Sequence, residues 1–337
     1  MTKIKDIAKA CGVSVSTVSK ALNGNSDLSE ETAARVRKAA KELGYIPNSN
    51  ARVLKTNRSH NIGVIFEDPT SSGLKHEYFS GILNSIKDEA ESCGYDVTFI
   101  SNHLASISNS YYEHARFRGC DGVIVASADF HSPKVVELIE SEIPSVTIDY
   151  VFDNRSAIMS DNYAGLHDIV QYLYMNGHRK IAFIHGEMTA VCQKRLSSYY
   201  KTMEGFGLKV PDEYVKQAFF HLPKASGEAT KELLALTDRP DCIIYPDDYS
   251  MLGGITALEE AGLEIPDDIS IVGYDGIQLS RFMRPVFTTY VQDSEKIGKS
   301  AAHKLIETIE SPRTSQVEQI TIKGWLQEGK TVKALIR

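Results

Sequence analysis

Two sets of side chains in this 337-residue sequence have the types and spacing to do chemistry, and in both the chemistry is recognition. The first runs from Ser14 to Asn23. At 100° per residue Ser16, Ser19, Lys20 and Asn23 fall on one side of a helix, and Val18, Ala21 and Leu22 fall on the other. Short hydroxyl side chains let a backbone come close to base edges. A lysine on that face reaches guanine O6 and N7, and Ser16 can bond to either base edge. Val15 lies at the margin and has two readings, contact with a thymine methyl or the rim of an apolar core. The second set is a series of acids that each follow an apolar run: Asp68 after Ile62–Phe66, Asp247 and Asp248 after Cys242–Pro246, and Asp275 after Ile269–Tyr274. Carboxylates at strand ends accept hydrogen bonds from vicinal hydroxyls. An Asp in that place also caps the next helix, which is the preferred reading for Asp248.

Nothing in the sequence forms a bond-breaking constellation. No Gly-x-Gly-x-x-Gly follows a strand, and neither a phosphate-binding loop nor a Gly-x-Ser-x-Gly elbow occurs. The five cysteines are scattered singly and the ten histidines lack ligand spacing, so no enzyme, cofactor or metal site is expected. No apolar run approaches the length of a membrane span, and the N-terminus intersperses Lys3, Lys5 and Lys9 with apolar residues, unlike a signal peptide. A cytoplasmic protein without a membrane partner is expected.

The recognition residues need elements to hold them. Ile4, Ile7, Ala8 and Cys11 make one apolar stripe, closed by Gly12 as a left-handed cap. Ser14 caps a second helix and Gly24 ends it. Ser29 caps a third, with Glu30 and Glu31 in its first turn, an apolar stripe of Ala33, Val36, Ala40 and Leu43, and Gly44 at its end. Three short helices with a tight turn between the first two make a helix-turn-helix whose second helix can enter the major groove. Residues 1–58 carry 11 Lys and Arg against 5 Asp and Glu, whereas the remainder carries 26 against 39. A basic head on an acidic body points to a polyanion for the head alone.

Pro47 stops the third helix, and Asn48 to Lys55 are too few for a stable isolated helix. That segment is either a linker or a hinge that becomes helical on DNA, with Leu54 as an apolar wedge in the minor groove. Beyond it, apolar runs at 62–66, 97–100, 122–126, 145–149, 180–184, 242–245 and 269–273 alternate with amphipathic stretches, the rhythm of parallel sheets. These are too many strands for one compact sheet, and two hinged lobes would bring the strand ends to a shared cleft.

The head resembles the lactose-repressor (LacI) family of bacterial regulators. The resemblance rests on Ile4-x-Asp6-Ile-Ala8, Gly12-Val-Ser14, Thr17-Val-Ser19, Leu22-Asn23, Leu43-Gly-Tyr45, Pro47-Asn48 and Ala51-Arg-x-Leu54. The body is similar to the same family and its type I periplasmic-binding-protein core through Asp161-Asn162, Gly177-His-Arg-Lys180, Arg195-x-x-x-Tyr199, Asp247-Asp-x-x-Met251 and the run Ala261 to Asp275. The resemblance implies an α/β chain with an N-terminal all-α helix-turn-helix head and two doubly wound lobes. Residues 1–46 would be the head, 47–58 the hinge and linker, and 59–337 the effector-binding and dimerisation domain. Lobe 1 would take about 59–158 and 292–320, and lobe 2 about 159–291 and 321–337.

By the same resemblance Val15, Ser16 and Lys20 read bases, Thr17 touches phosphate, and Ser14, Ser19, Asn23, Asn48, Ala51, Leu54 and Lys55 belong to the DNA-binding set. The family usually has Arg or His where Lys20 stands. Arg195, Asp247 and Asp275 are implied to line an effector cleft, joined by Asp68, Phe79, Ser127, Asp161 and Leu222. Leu222 stands where relatives often place a stacking aromatic, and Phe219-Phe220 nearby can substitute. Arg195 has three readings: a fork on a polyol, a partner for an acidic effector, or a structural salt bridge. The implied partners are a double-stranded DNA operator, a small-molecule effector of carbohydrate type, and a second copy of the chain. The dimer contacts would involve the helices near 78–92 and 249–261.

Overall fold

The computed structural model describes residues 2–22, 28–45, 58–68, 73–103 and 110–335. Asn23 and the segment with Asn48, Ala51, Leu54 and Lys55 lie outside the described residues. The chain divides into two compact units, Met1–Ser59 and His60–Arg337.

In the first unit, α1 (Ile4–Cys11), α2 (Val15–Leu22) and α3 (Glu30–Glu42) close around Ile7, Ala8, Val18, Ala21, Ala33, Val36 and Ala40. Gly12 takes φ 63°, and the Val13 N–H then reaches back to the Ala8 carbonyl at 3.1 Å, so the first helix ends where its apolar stripe ends. Ser29 accepts the Thr32 N–H, and Glu30 and Glu31 occupy the positive end of α3. The short alanines on α3 let the helices approach closely enough to bury this core with few large side chains.

The second unit contains two six-stranded sheets. The first has the order β2-β1-β3-β4-β5-β11, from β1 (Asn61–Phe66), β2 (Asp96–Phe99), β3 (Gly122–Ser127), β4 (Ser145–Ile148), β5 (Ser156–Ser160) and β11 (Gln319–Ile322), all paired in parallel. The second has the order β7-β6-β8-β9-β10-β12, from β6 (Ile181–His185), β7 (Val215–Gln217), β8 (Cys242–Ile244), β9 (Ser270–Asp275), β10 (Thr289–Val291) and β12 (Trp325–Gln327), with only β12 antiparallel. Continuous burial along β3, β6 and β9 follows from helices covering both faces.

On the first sheet lie α4 (Glu77–Ser92), α5 (Tyr111–Phe117), α6 (Pro133–Glu140) and, from the far end of the chain, α12 (Ser294–Glu310). On the second lie α7 (Asn162–Met175), α8 (Ala190–Gly205), α9 (Pro223–Leu234), α10 (Asp248–Glu260) and the short α11 (Leu279–Phe282). The chain crosses between sheets three times, after Ser160, after Val291 and between Ile322 and Trp325. The first and third crossings fall two residues beyond the sequence boundaries at 158 and 320, because β5 and β11 keep their pairing to Ser160 and Ile322. Among the described residues no helix is long and apolar enough to cross a membrane.

Candidate functional site

In the head the candidate reading face is the exposed side of α2. Ser14 spends its hydroxyl on the helix start, accepting the Thr17 N–H at 3.0 Å and pairing with Thr17 Oγ1 at 2.8 Å. Val15 is 40% exposed and outside the buried cluster of the three helices. Ser16 beside it is exposed, and Ser19 and Lys20, one turn on, are half-buried.

In the body the strand order reverses between β1 and β3 in one sheet and between β6 and β8 in the other, the places where open parallel sheets form a crevice at their C-terminal ends. Arg195, on α8, is 4% exposed and tightly held. Its Nε donates to Asn162 Oδ1 at 2.8 Å, its Nη1 donates to the Pro246 carbonyl at 2.9 Å, and its guanidinium lies 3.5 Å from the Tyr274 ring centroid. These partners are an amide, a carbonyl and a ring, so the structural salt bridge is not what the fold builds. A stacked, doubly bonded guanidinium is a preorganised cation.

Asp275 closes β9 in the left-handed region, at φ 95°, a costly conformation for a residue with a side chain. Its Oδ1 accepts from Gln292 Nε2 at 2.6 Å, and its Oδ2 faces His221 Nε2 at 3.9 Å. Burial would raise its pKa, but the neighbouring His221 and Arg195 outweigh that and hold the carboxyl ionised.

Asp149, which follows β4 at φ 57°, is a member of the cleft that sequence reasoning did not single out. Its Oδ1 accepts the Ser160 N–H at 2.6 Å and its Oδ2 accepts from the Tyr78 hydroxyl at 3.5 Å, while burial pushes its pKa up to about 6. His76 and His221 were missed as well. Asp149 could have been found by extending the strand-end rule to the last letter of its apolar run. The histidines left no signal, because a lone His has none.

The remaining expected residues are placed unevenly. Phe79 packs on Phe66 at 5.0 Å and on His76 at 4.8 Å. Asp68 turns inward on its own loop and accepts the Gly73 N–H at 2.7 Å. Ser127 donates to the Glu67 carbonyl at 2.8 Å, joining the ends of β3 and β1. Asp161 caps α7 by accepting the Ala164 N–H at 2.9 Å.

The cap expected at Asp248 is made by its neighbour. Asp247, not Asp248, caps α10: Oδ1 accepts the Ser250 N–H at 2.7 Å, and Oδ2 takes the His221 N–H at 2.9 Å and the Ser250 hydroxyl at 2.8 Å. With 1% exposure and three donors on it, Asp247 supports the cleft floor. Asp248 is fully buried in the first turn of α10, where its Oδ2 accepts the Ile277 N–H at 3.0 Å. Leu222 is exposed at the start of α9, and the Phe220 ring lies beside the Arg195 guanidinium at 5.6 Å, farther than that of Tyr274.

A family described as "Periplasmic binding proteins and sugar binding domain of LacI family" matches residues 59–327, and one described as "Bacterial regulatory proteins, lacI family" matches residues 3–48. The chain belongs to the LacI family of bacterial regulatory proteins. A relative named HTH-type transcriptional repressor PurR, from Pasteurella multocida (strain Pm70), is 34% identical over 92% of this chain and 92% of its own length. A solved lac repressor dimer bound to operator and the anti-inducer ONPF is 25% identical, with a TM-score of 0.82 over 99% of each chain. A regulator CelR–cellobiose complex shares the fold at 24% identity, with a TM-score of 0.70 over 98% of this chain and 100% of its own. Family membership makes the head a DNA-binding module and the two-sheet body a ligand-binding one.

Proposed function

We propose that this LacI-family regulator is a repressor that binds a pseudo-palindromic operator as a homodimer and is controlled by a carbohydrate in the cleft between its two sheets. The observation that carries this reading is the joining, in one chain, of an exposed polar helix face to a two-sheet body with a preorganised cation and several acids at the strand ends. Ser16 and Lys20, with Val15, read base edges, while Ser14, Thr17 and Ser19 hold the helix to the backbone. The segment 47–58 supplies the conditional element: Leu54 wedges into the minor groove, and Asn48, Ala51 and Lys55 flank it.

In the cleft, Asp275 and Asp149 accept from ligand hydroxyls, the Arg195 fork donates to ligand oxygens, and Phe79 and Phe220 offer apolar faces. Asp68, Ser127 and Asp161 shape the rim. Dimerisation uses the outer side of the body. There the edge strand β2 and α4 flank a groove of about 540 Å³ lined by Leu74, Leu83, Val97 and Phe99, and Tyr249 and Phe282 are exposed beside α10 and α11. Two heads on two half-sites raise affinity through effective concentration, and effector-driven closure alters whether the two hinge segments pair.

The test is a thermal-shift screen of sugars, nucleosides and amino acids against the full chain, followed by binding of each hit's complex to an operator selected from random DNA. A sugar that shifts both melting and operator affinity is the expected result. A nucleobase hit replaces the carbohydrate but leaves the regulator standing, whereas catalytic turnover of a hit overturns the reading.

A further inference from the structure

His76 and His221 belong to opposite lobes. His76 precedes α4 on the first sheet, and His221 lies in the loop between β7 and α9 on the second. Their ring centroids are nevertheless 3.4 Å apart with planes tilted by 41°. The contact joins two shorter stacks into one column: Phe66 on Phe79 at 5.0 Å, Phe79 on His76 at 4.8 Å, and His221 on Tyr249 at 5.6 Å. Both imidazoles are almost out of water, with 7% of His76 and 7% of the His221 side chain exposed. Among the described residues neither His76 Nδ1 nor His221 Nε2 has a hydrogen-bond partner within reach, the nearest group to His221 Nε2 being Asp275 Oδ2 at 3.9 Å. Buried ring nitrogens without partners are uncommon in a finished core.

The charges around the two rings are unequal. His221 faces the Asp275 carboxylate at 3.9 Å and donates its backbone N–H to Asp247, both on the second sheet. His76 has Asp68 at the end of β1 and Asp275 across the cleft at longer range, with Tyr78 and Phe79 packed beside it. His221, and then Arg195, keep Asp275 ionised. Next to His76, the Glu77 carboxylate accepts the Gln278 N–H, so two consecutive residues of lobe 1 make contacts with lobe 2.

We propose that His76 and His221 form a one-proton latch, which holds the cleft closed when His221 carries a proton and His76 does not, and releases it when the pair carries none or two. A charged ring against a neutral one attracts as a cation over a π face. Two charged rings at this separation repel in a site that screens little. With no proton, the cation over the π face is gone and the contact between the lobes keeps only ring packing. This latch rests on the proposed cleft, because Asp275 beside His221 and Phe79 beside His76 are also among its ligand-facing groups.

The titration directions agree with the geometry. Burial, and then the charge of His221, lower His76 from 6.5 to about 4. Burial alone would also lower His221, but Asp275 and Asp247 outweigh it and raise its pKa. To the extent that the His221 contact lowers His76, closure weakens as pH falls toward about 4, because the open form takes up the proton first. The acids that raise His221 lie on its own sheet and act on it open or closed, so its proton is tied to closure through the contact with His76, and closure weakens as pH rises through the raised value and that contact loses its charge. Closure therefore has an optimum between two pH limits, each set by one ring.

The test uses the full chain with histidine labelled with carbon-13 at Cε1. The two ring signals are assigned among ten by their loss in His76→Gln and His221→Gln, and are followed by NMR against pH. The expected result is a His76 midpoint below 6.5 that rises at least threefold in proton affinity in His221→Gln, and a His221 midpoint above 6.5. Coupling between residues on different sheets requires the lobes to be closed. Small-angle scattering of dilute protein reads opening directly: the wild type is most compact at the intermediate pH, and His76→Phe, which keeps a ring but takes no proton, loses the acid-side expansion. Cooperative melting of each variant checks its fold, and His221→Phe serves where His221→Gln melts early. Unchanged His76 midpoints in both His221 variants overturn the latch, as does a radius of gyration that varies with pH identically in wild type and His76→Phe.

Discussion

Asp248 offers the sharpest test of the fold beneath the cleft. Its carboxyl is fully buried, and burial raises its pKa well above the usual carboxylate range, which favours the protonated, neutral form. It accepts the Ile277 N–H, and Ile277 lies between Asp275 and Gln278, whose N–H meets Glu77 on the other sheet. Gly273 leaves the carboxyl its space, since a Cβ there would lie 2.0 Å from Asp248 Oδ1. Asp248→Asn keeps the shape, the acceptor and the neutrality, and should cost less than about 1 kcal/mol near pH 4. Asp248→Ala removes the acceptor and strands a buried N–H, which costs about 1–3 kcal/mol before any cavity is counted.

The pH dependence separates the two substitutions further. The folded pKa is raised, so the wild-type group's contribution is complete below its ordinary value of 3.8 and is lost as pH rises toward the folded value. Asn has no proton to lose. The stability of Asp248→Asn should therefore gain on wild type by about 1.4 kcal/mol per pH unit above 3.8, until the folded group ionises. Urea denaturation of the full chain at several pH values between 4 and 7 measures this difference. A flat difference, or an Asn variant as unstable as Ala at every pH, would refute the neutral carboxyl.

Four further outcomes follow. Lys20→Ala should cost about 1–3 kcal/mol on the selected operator and relax specificity at one base position; equal loss on random DNA would show that it binds only phosphate. Arg195→Ala should lower the urea midpoint by the equivalent of about 2 kcal/mol or more and abolish ligand-induced thermal shifts, because Asn162 and the Pro246 carbonyl lose their donor and Tyr274 its cation. Arg195→Lys should recover less than half of that stability, since an ammonium cannot make both bonds and the stack. Removing residues 1–58 should leave a folded body, read by cooperative melting and by its sedimentation as a dimer; aggregation would mean that the boundary at 59/60 cuts a shared core.

The head was legible because each of its helices carries its own punctuation. Gly12, Ser14, Ser29 and Gly44 act locally, and their caps need nothing from distant parts of the chain. The longer strands were legible from their apolar runs. The run Ser156–Ser160 escaped because it is short and passes straight into the cap at Asp161, and β7 escaped because its three residues are only half-covered.

Asp247 and Asp248 show where sequence reasoning stops. Either could cap α10 by type, and the choice is made by the ψ of one residue and by the space left at Gly273. The cleft acids at strand ends could be read one by one, whereas the pairing of His76 with His221 depends on the closure of two sheets and has no local trace.

The three crossings between the sheets bear on how such a body can change its chemistry. Ser160, at the end of the first crossing strand, donates to the Gln292 amide oxygen at the second, and Gln292 in turn donates to Asp275. Three tethers stitched side by side resist sliding and stretching, and leave one soft movement, a swing of one sheet against the other about the line they share. Any molecule that bridges the sheets, whatever groups it presents, can then drive only that swing. The side chains facing the cleft are free to diverge toward new ligands, because the output is set by the tethers.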